Sequence, residues 1–301
     1  MIFSRRLSGL ALGAVACVVF TVRAEPVKFA IAGDNRNSSG FVAIEERIKQ
    51  SGGGAVQFLL SPGDVDPAEH TRAEIDEVFG KSFAWYPVIG NHDLHSLPYF
   101  RAYFEKRLAN AVKPGPPGTR ETTYSFDAGD VHIAVINVYW NGTLAPGSDG
   151  GRSENVVGPL REWLAADLDA SKKPWKLVAA HEPAYPQPDQ DWHETRHVGE
   201  SLDKHRAERD ALWTMLEQHG ATAYICGHTH RYSKYKPAGG HVWQLDTGLA
   251  RGEEDSWKYD TFIIATGDAN QLKFDVYRNL KERGKFEITD TLALVPPQTA
   301  R

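Results

Sequence analysis

The chain is poor in cysteine, with Cys17 and Cys226 alone among 301 residues. Cys17 falls in a segment expected to be removed on export, so the mature chain has no partner for an intrachain disulfide and must draw its stability from its core. Long apolar runs are also missing: the longest, residues 7–20, falls short of the ~20 residues that span a bilayer. No stretch is rich in lysine and arginine, and 39 acidic residues outnumber 34 basic ones, which disfavours a protein that grips nucleic acid or an anionic membrane through a basic patch. A Gly-x-Ser-x-Gly elbow, a phosphate-binding glycine loop with lysine and a dinucleotide fingerprint are all absent. Serine hydrolase, nucleotide-dependent kinase and dehydrogenase chemistry are therefore disfavoured. Internal repeats and low-complexity tracts are lacking too.

What is present begins with Arg5 and Arg6, the apolar run, and Val22-Arg23-Ala24 before Glu25. This is the pattern of a secretory signal peptide over residues 1–24. Ser4-Arg5-Arg6-Leu7 matches a twin-arginine export signal in part. Removal takes away three arginines and no acid, moving the net charge from −5 to −8. The expected product is a single domain over residues 25–301, secreted or periplasmic, with no membrane span left.

Short β-rich apolar runs alternate with helical patterns, which predicts an α/β fold. The runs are 27–32, 56–60, 87–89, 177–180 and 221–226. Between them Phe41, Ile44 and Ile48, then Leu160, Trp163, Leu164 and Leu168, then Leu212, Met215 and Leu216 recur at helical spacing. Alternating segments at 123–126, 131–138, 241–245, 260–265 and 272–277 read as half-buried antiparallel strands of a second sheet.

A polar group follows every one of the five apolar runs: Gly33-Asp34, Gly63-Asp64, Gly90-Asn91-His92-Asp93, His181, and Gly227-His228-Thr229-His230. In open α/β sheets the carboxyl ends of strands line the ligand crevice, so these side chains should converge at one edge. Carboxylate, amide and imidazole donors without thiolates suit Mn, Fe or Zn in a catalytic role. The six donors Asp34, Asp64, Asn91, His181, His228 and His230 exceed one tetrahedral ion. With one carboxylate bridging they serve two.

In this order the motifs resemble the calcineurin-like metallophosphoesterase superfamily, and Tyr232, His181-Glu182-Pro183 and Thr247-Gly248 resemble its purple-acid-phosphatase-like branch. The resemblance implies a four-layer αββα sandwich of two mixed sheets flanked by helices, with the metal site at the C-terminal ends of strands. It also implies a metal-dependent phosphoric ester hydrolase in which hydroxide bridging two ions attacks in line. Asp64 would bridge the ions, Asp34 and His230 would hold the first, and Asn91, His181 and His228 would complete the second. His92 would stand beside the substrate as general acid or electrostatic stabiliser. Two positions depart from the pattern. Asp34-Asn35-Arg36 replaces Asp-x-His, and Pro67 stands where purple acid phosphatases carry tyrosine. The first ion is left short of a ligand, with water, Asn35 or Asn37 as substitutes, and Arg36 offers a fork for phosphate oxygens. A phosphomonoester is the expected substrate; a phosphodiesterase or a non-catalytic binder of a phosphorylated ligand are the alternatives.

Overall fold

The apolar run near residue 27 forms strand β1, Val27–Ile31, whose neighbours are drawn from both ends of the chain. It lies parallel to β2 (Phe58–Ser61), which is parallel to β3 (Ala84–Pro87). The strands that follow in the chain are β4 (Lys113–Pro114), β5 (Tyr124–Ala128), β6 (Val131–Val135), β7 (Trp175–Ala179), β8 (Ala223–Cys226), β9 (Tyr232–Tyr235), β10 (Trp243–Thr247), β11 (Thr261–Asp268), β12 (Gln271–Arg278) and β13 (Glu287–Leu294). They form two mixed sheets, ordered β13-β12-β11-β1-β2-β3 and β4-β5-β6-β7-β8-β10-β9. These relations come from a computed structural model describing residues 25–36, 38–151, 155–252, 259–280 and 285–296. The expected signal segment and Asn37 lie outside that set.

Among the described residues five α-helices complete the layers: α1 (Phe41–Ser51), α2 (Ala68–Phe79), α3 (Leu97–Tyr103), α4 (Gly158–Ala170) and α5 (Arg206–Gln218). The periodic residues do what their spacing requires: Phe41, Ile44 and Ile48 of α1, Leu160, Leu164 and Leu168 of α4, and Leu212, Met215 and Leu216 of α5 are buried. Helix α1 packs on α2 and β11, and α4 packs on α5 and β6, so each pair covers the outside of a different sheet. The architecture is the expected αββα sandwich.

Aromatic rings join the sheets between those layers. Phe29 stacks on Phe58 at 4.7 Å, Phe58 meets Phe126 edge-on at 5.6 Å, and Tyr86 stacks on Phe126 at 3.7 Å. Each such pair contributes roughly 0.5–1.5 kcal/mol beyond its buried area. Strand alternation turns the preceding residue of β3, Trp85, the other way, onto Phe100 and Tyr103 around α3.

Three expectations are corrected. The third strand occupies 84–87, and the apolar residues 87–89 lead from its end into the Gly90 turn. Strand β6 pairs antiparallel with β5 as expected, but it is buried throughout and parallel to β7 on its other edge, because α4 covers one of its faces and the facing sheet the other. Strand β10 is likewise parallel to β8, with antiparallel pairing only to β9. Finally, the five motif-bearing strands do not share a sheet. β1, β2 and β3 belong to one and β7 and β8 to the other, so the site forms where two sheet edges meet.

Candidate metal centre

The turns after three of these strands, β1, β2 and β8, are unusual in backbone conformation. Asp34 (φ 55°), Asp64 (φ 53°), His228 (φ 69°) and His230 (φ 57°) all adopt the left-handed region. Aspartate and histidine tolerate it better than most residues, yet each instance costs on the order of 1 kcal/mol, and such strain collects at functional sites. Glycines supply the remaining room. A Cβ on Gly90 would collide with the Asp64 carboxylate, and one on Gly227 with that of Asp34. The two sheets are tied here by His228 N–H, which donates to Asp34 Oδ2 at 3.0 Å.

Around His181 Nε2 stand Asp64 Oδ1 at 3.4 Å, Asn91 Oδ1 at 3.2 Å and His228 Nδ1 at 3.2 Å. Four donors bound about 2.1 Å from one ion in a tetrahedron sit roughly 3.4 Å apart, so these side chains fit a shared divalent ion. The outer nitrogens support that role. His181 Nδ1–H donates to the Pro62 carbonyl at 2.7 Å, and His228 Nε2 lies 3.4 Å from Glu182 Oε2. Both rings thus have acceptors on their far sides, which turns a bare nitrogen toward the centre. Asp34, Asp64 and His181 also bring donor atoms within 4.8 Å of one another.

The sequence profile of the calcineurin-like phosphoesterase family matches residues 27–232, which contain the whole constellation. The chain belongs to this family. It is 26% identical to purple acid phosphatase 21 of Arabidopsis thaliana over 227 residues, covering 70% of this chain and 46% of that protein. It is 30% identical to an acid phosphatase of Aspergillus ficuum over 183 residues, 50% of this chain and 28% of the fungal protein. The chain thus spans less than half the length of either relative. These likenesses put it in the purple-acid-phosphatase-like branch. A purple acid phosphatase from yellow lupin (Lupinus luteus) seeds shares the fold with a TM-score of 0.59 at 13% identity, over 91% of this chain and 54% of that one. A structure titled PhoD shares it with a TM-score of 0.64 at 11% identity, over 92% and 71%.

In this member of the family, the Asp34 half of the centre is built differently from the His181 half. His230 Nε2 lies 3.3 Å from Asp34 Oδ1, but its Nδ1 receives a hydrogen bond from Arg196. Arg36 pairs through Nε with Asp66 Oδ1 at 3.4 Å, and Asn35 turns its amide onto Thr71 Oγ1 at 2.8 Å. His92 sits at the rim with a 42% exposed side chain; its backbone N–H donates to Asp64 Oδ1 at 2.9 Å, and its Nε2 is 3.9 Å from Asp64 Oδ2.

Without an ion, the centre separates its charges sharply. Burial opposes the charge on His181, but Asp64, Asp34 and Glu182 outweigh it and lift the imidazole to about 9. Burial, then the neighbouring His181 and His197, drive His228 down to about 2. Burial would raise Asp34, yet its contacts with His230 and the nearby His181 and His228 lower it to about 2.

Sequence reasoning left three contributors outside the site. Asp93 reads as a turn aspartate, yet it is buried and its carboxylate accepts N–H groups from Gly90, Asp64 and Val65 at 2.8–2.9 Å, locking two ligand turns together. Glu182, read only as motif context, accepts the Tyr139 hydroxyl at 2.6 Å while facing His228. Arg196 lies 34 positions from His230, with no motif around it.

Proposed function

We propose that this protein is a metal-dependent phosphoric ester hydrolase acting on phosphomonoesters. The observation that carries the reading is the convergence of Asp64, Asn91 and His228 on His181 Nε2 at 3.2–3.4 Å. The names of its plant and fungal relatives, all phosphatases, favour monoesters. A divalent ion held by these residues would supply a lowered pKa for bound water, toward ~7, and polarisation of a phosphoryl oxygen.

The chain's own groups do the rest. Asp93 fixes the Asp64 and Asn91 turns, Glu182 and the Pro62 carbonyl orient the two imidazoles, and half-exposed His92 stands at the mouth to protonate or neutralise a leaving alkoxide. In an acidic protein this centre is the local source of attraction for phosphate. Residues 1–24 are proposed to direct export, with 25–301 as the working domain. Chelated protein reloaded separately with manganese, zinc or iron, and assayed on p-nitrophenyl phosphate and on bis(p-nitrophenyl) phosphate, should turn over the monoester faster. Loss of His92 through His92→Ala should lower turnover of the monoester by about 10²–10⁴. A faster diester reaction would overturn the monoesterase reading, and no turnover with any metal would overturn the hydrolase reading.

A further inference from the structure

The three histidines of the centre differ in what their outer nitrogens face. His181 Nδ1 faces the Pro62 carbonyl and His228 Nε2 the Glu182 carboxylate, both acceptors. His230 Nδ1 faces the guanidinium of Arg196. Arginine only donates, so Nδ1 must be bare and the proton of the neutral ring must sit on Nε2. Nε2 lies 3.3 Å from Asp34 Oδ1, a separation that fits a hydrogen bond as well as a shared ion, and the Arg196 contact on the other nitrogen decides for the hydrogen bond. In this arrangement His230 has no lone pair turned toward the centre, the reverse of what a metal ligand needs.

The surroundings agree. Position 36 is arginine, position 67 is proline and Asn35 is turned onto Thr71, so among the described residues Asp34, Asp64 and His230 are the protein donors that the family pattern leaves for a first ion. Arg251 Nε also donates to the main-chain carbonyl of Asp34 at 3.0 Å, adding a second cation on this side of the centre. Arg196 is held in place by its loop. Buried Arg278 of β12 grips Asp189 at 2.9 and 3.1 Å and also pairs with Asp191, while Arg231 holds Glu194 at 2.8 Å.

Resting on the reading of this centre as a metal-dependent hydrolase, we propose that Arg196 takes the place of one ion. The protein would hold a single tight divalent ion, at Asp64, Asn91, His181 and His228, with the guanidinium as its second positive charge. One dication, two carboxylates and one guanidinium leave a net charge of about +1, enough to attract phosphate without a second metal.

The test is a manganese titration of the chelated full chain, read by metal analysis and electron paramagnetic resonance. Wild type should take up one equivalent tightly and give the spectrum of isolated Mn²⁺. Arg196→Ala should take up two, the second bound about 10- to 100-fold more tightly than in wild type, with a spin-coupled signal. Asp34→Asn, which spares the tight-site donors, should keep one equivalent. Two tight, coupled ions in wild type, or Arg196→Ala still binding only one, would overturn the inference. Wild type with two ions and phosphatase activity would leave the hydrolase reading standing, whereas no ion and no turnover would overturn both.

Discussion

Glu45 projects from α1 into the protein with no exposed surface and no hydrogen-bond partner among the described residues for either carboxylate oxygen. Burial and the neighbouring Glu74 push its carboxyl up to about 9 from an ordinary value of 4.5. Below pH 4.5 the group is protonated in both folded and unfolded chains and costs nothing. Between there and about 9 the folded state keeps a proton that the unfolded state has released, so stability falls by up to about 1.4 kcal/mol per pH unit. His132 acts in the same direction. Burial pulls its imidazolium down, but Asp167 at 2.9 Å and Asp127 at 2.7 Å more than offset that, and the stabilisation is lost as pH rises through the raised value. Urea denaturation of Glu45→Gln should therefore show a midpoint above that of wild type at pH 8, with the two converging toward pH 4.5. An unchanged alkaline decline in the variant would show that Glu45 is not its source.

At the scale of elements, the ligand-bearing turns were legible because their chemistry is local. A strand ending in glycine and then a polar residue signals a sharp turn, and four of them in order, with His181 directly after a fifth strand, point to a centre. What sequence could not show was which sheet each strand joins. Residues 131–138 carry the same apolar signal whether their second face meets solvent or, as for β6, a second sheet. Asp93 and Arg196 were hidden for a related reason, since their partners come from Gly90 and Val65 and from His230, contacts that exist only after folding. The segment carrying Arg196 depends on one such contact. Arg278→Met would leave the buried Asp189 carboxylate without its cation and, among the described residues, held only by the backbone N–H groups of Asp191, Trp192 and Tyr232, and should cost about 3 kcal/mol in chemical denaturation and hasten tryptic cleavage after Arg196. Cleavage at the wild-type rate would show that Arg278 does not secure this loop.

Across the whole molecule, the two sheets have separate tasks that meet at one edge. The first contributes Asp34, Asp64 and Asn91 and the second His181 and His228, so the centre exists only while the aromatic contacts of Phe58, Tyr86 and Phe126 hold the sheets face to face. Among the described residues no helix is long and apolar enough to cross a membrane. The acidic balance of the chain, which argued against polyanionic partners, is compatible with the proposed phosphate substrate because the attraction would be local to a bound ion and Arg196. The most direct test is the metal dependence of p-nitrophenyl phosphate hydrolysis in wild type and Asn91→Ala. Chelation should abolish wild-type turnover and divalent metal should restore it, while Asn91→Ala should require about 10- to 100-fold more metal for the same recovery. Turnover that survives chelation, or that Asn91→Ala recovers at the wild-type metal concentration, would contradict a centre built on Asp64, Asn91, His181 and His228.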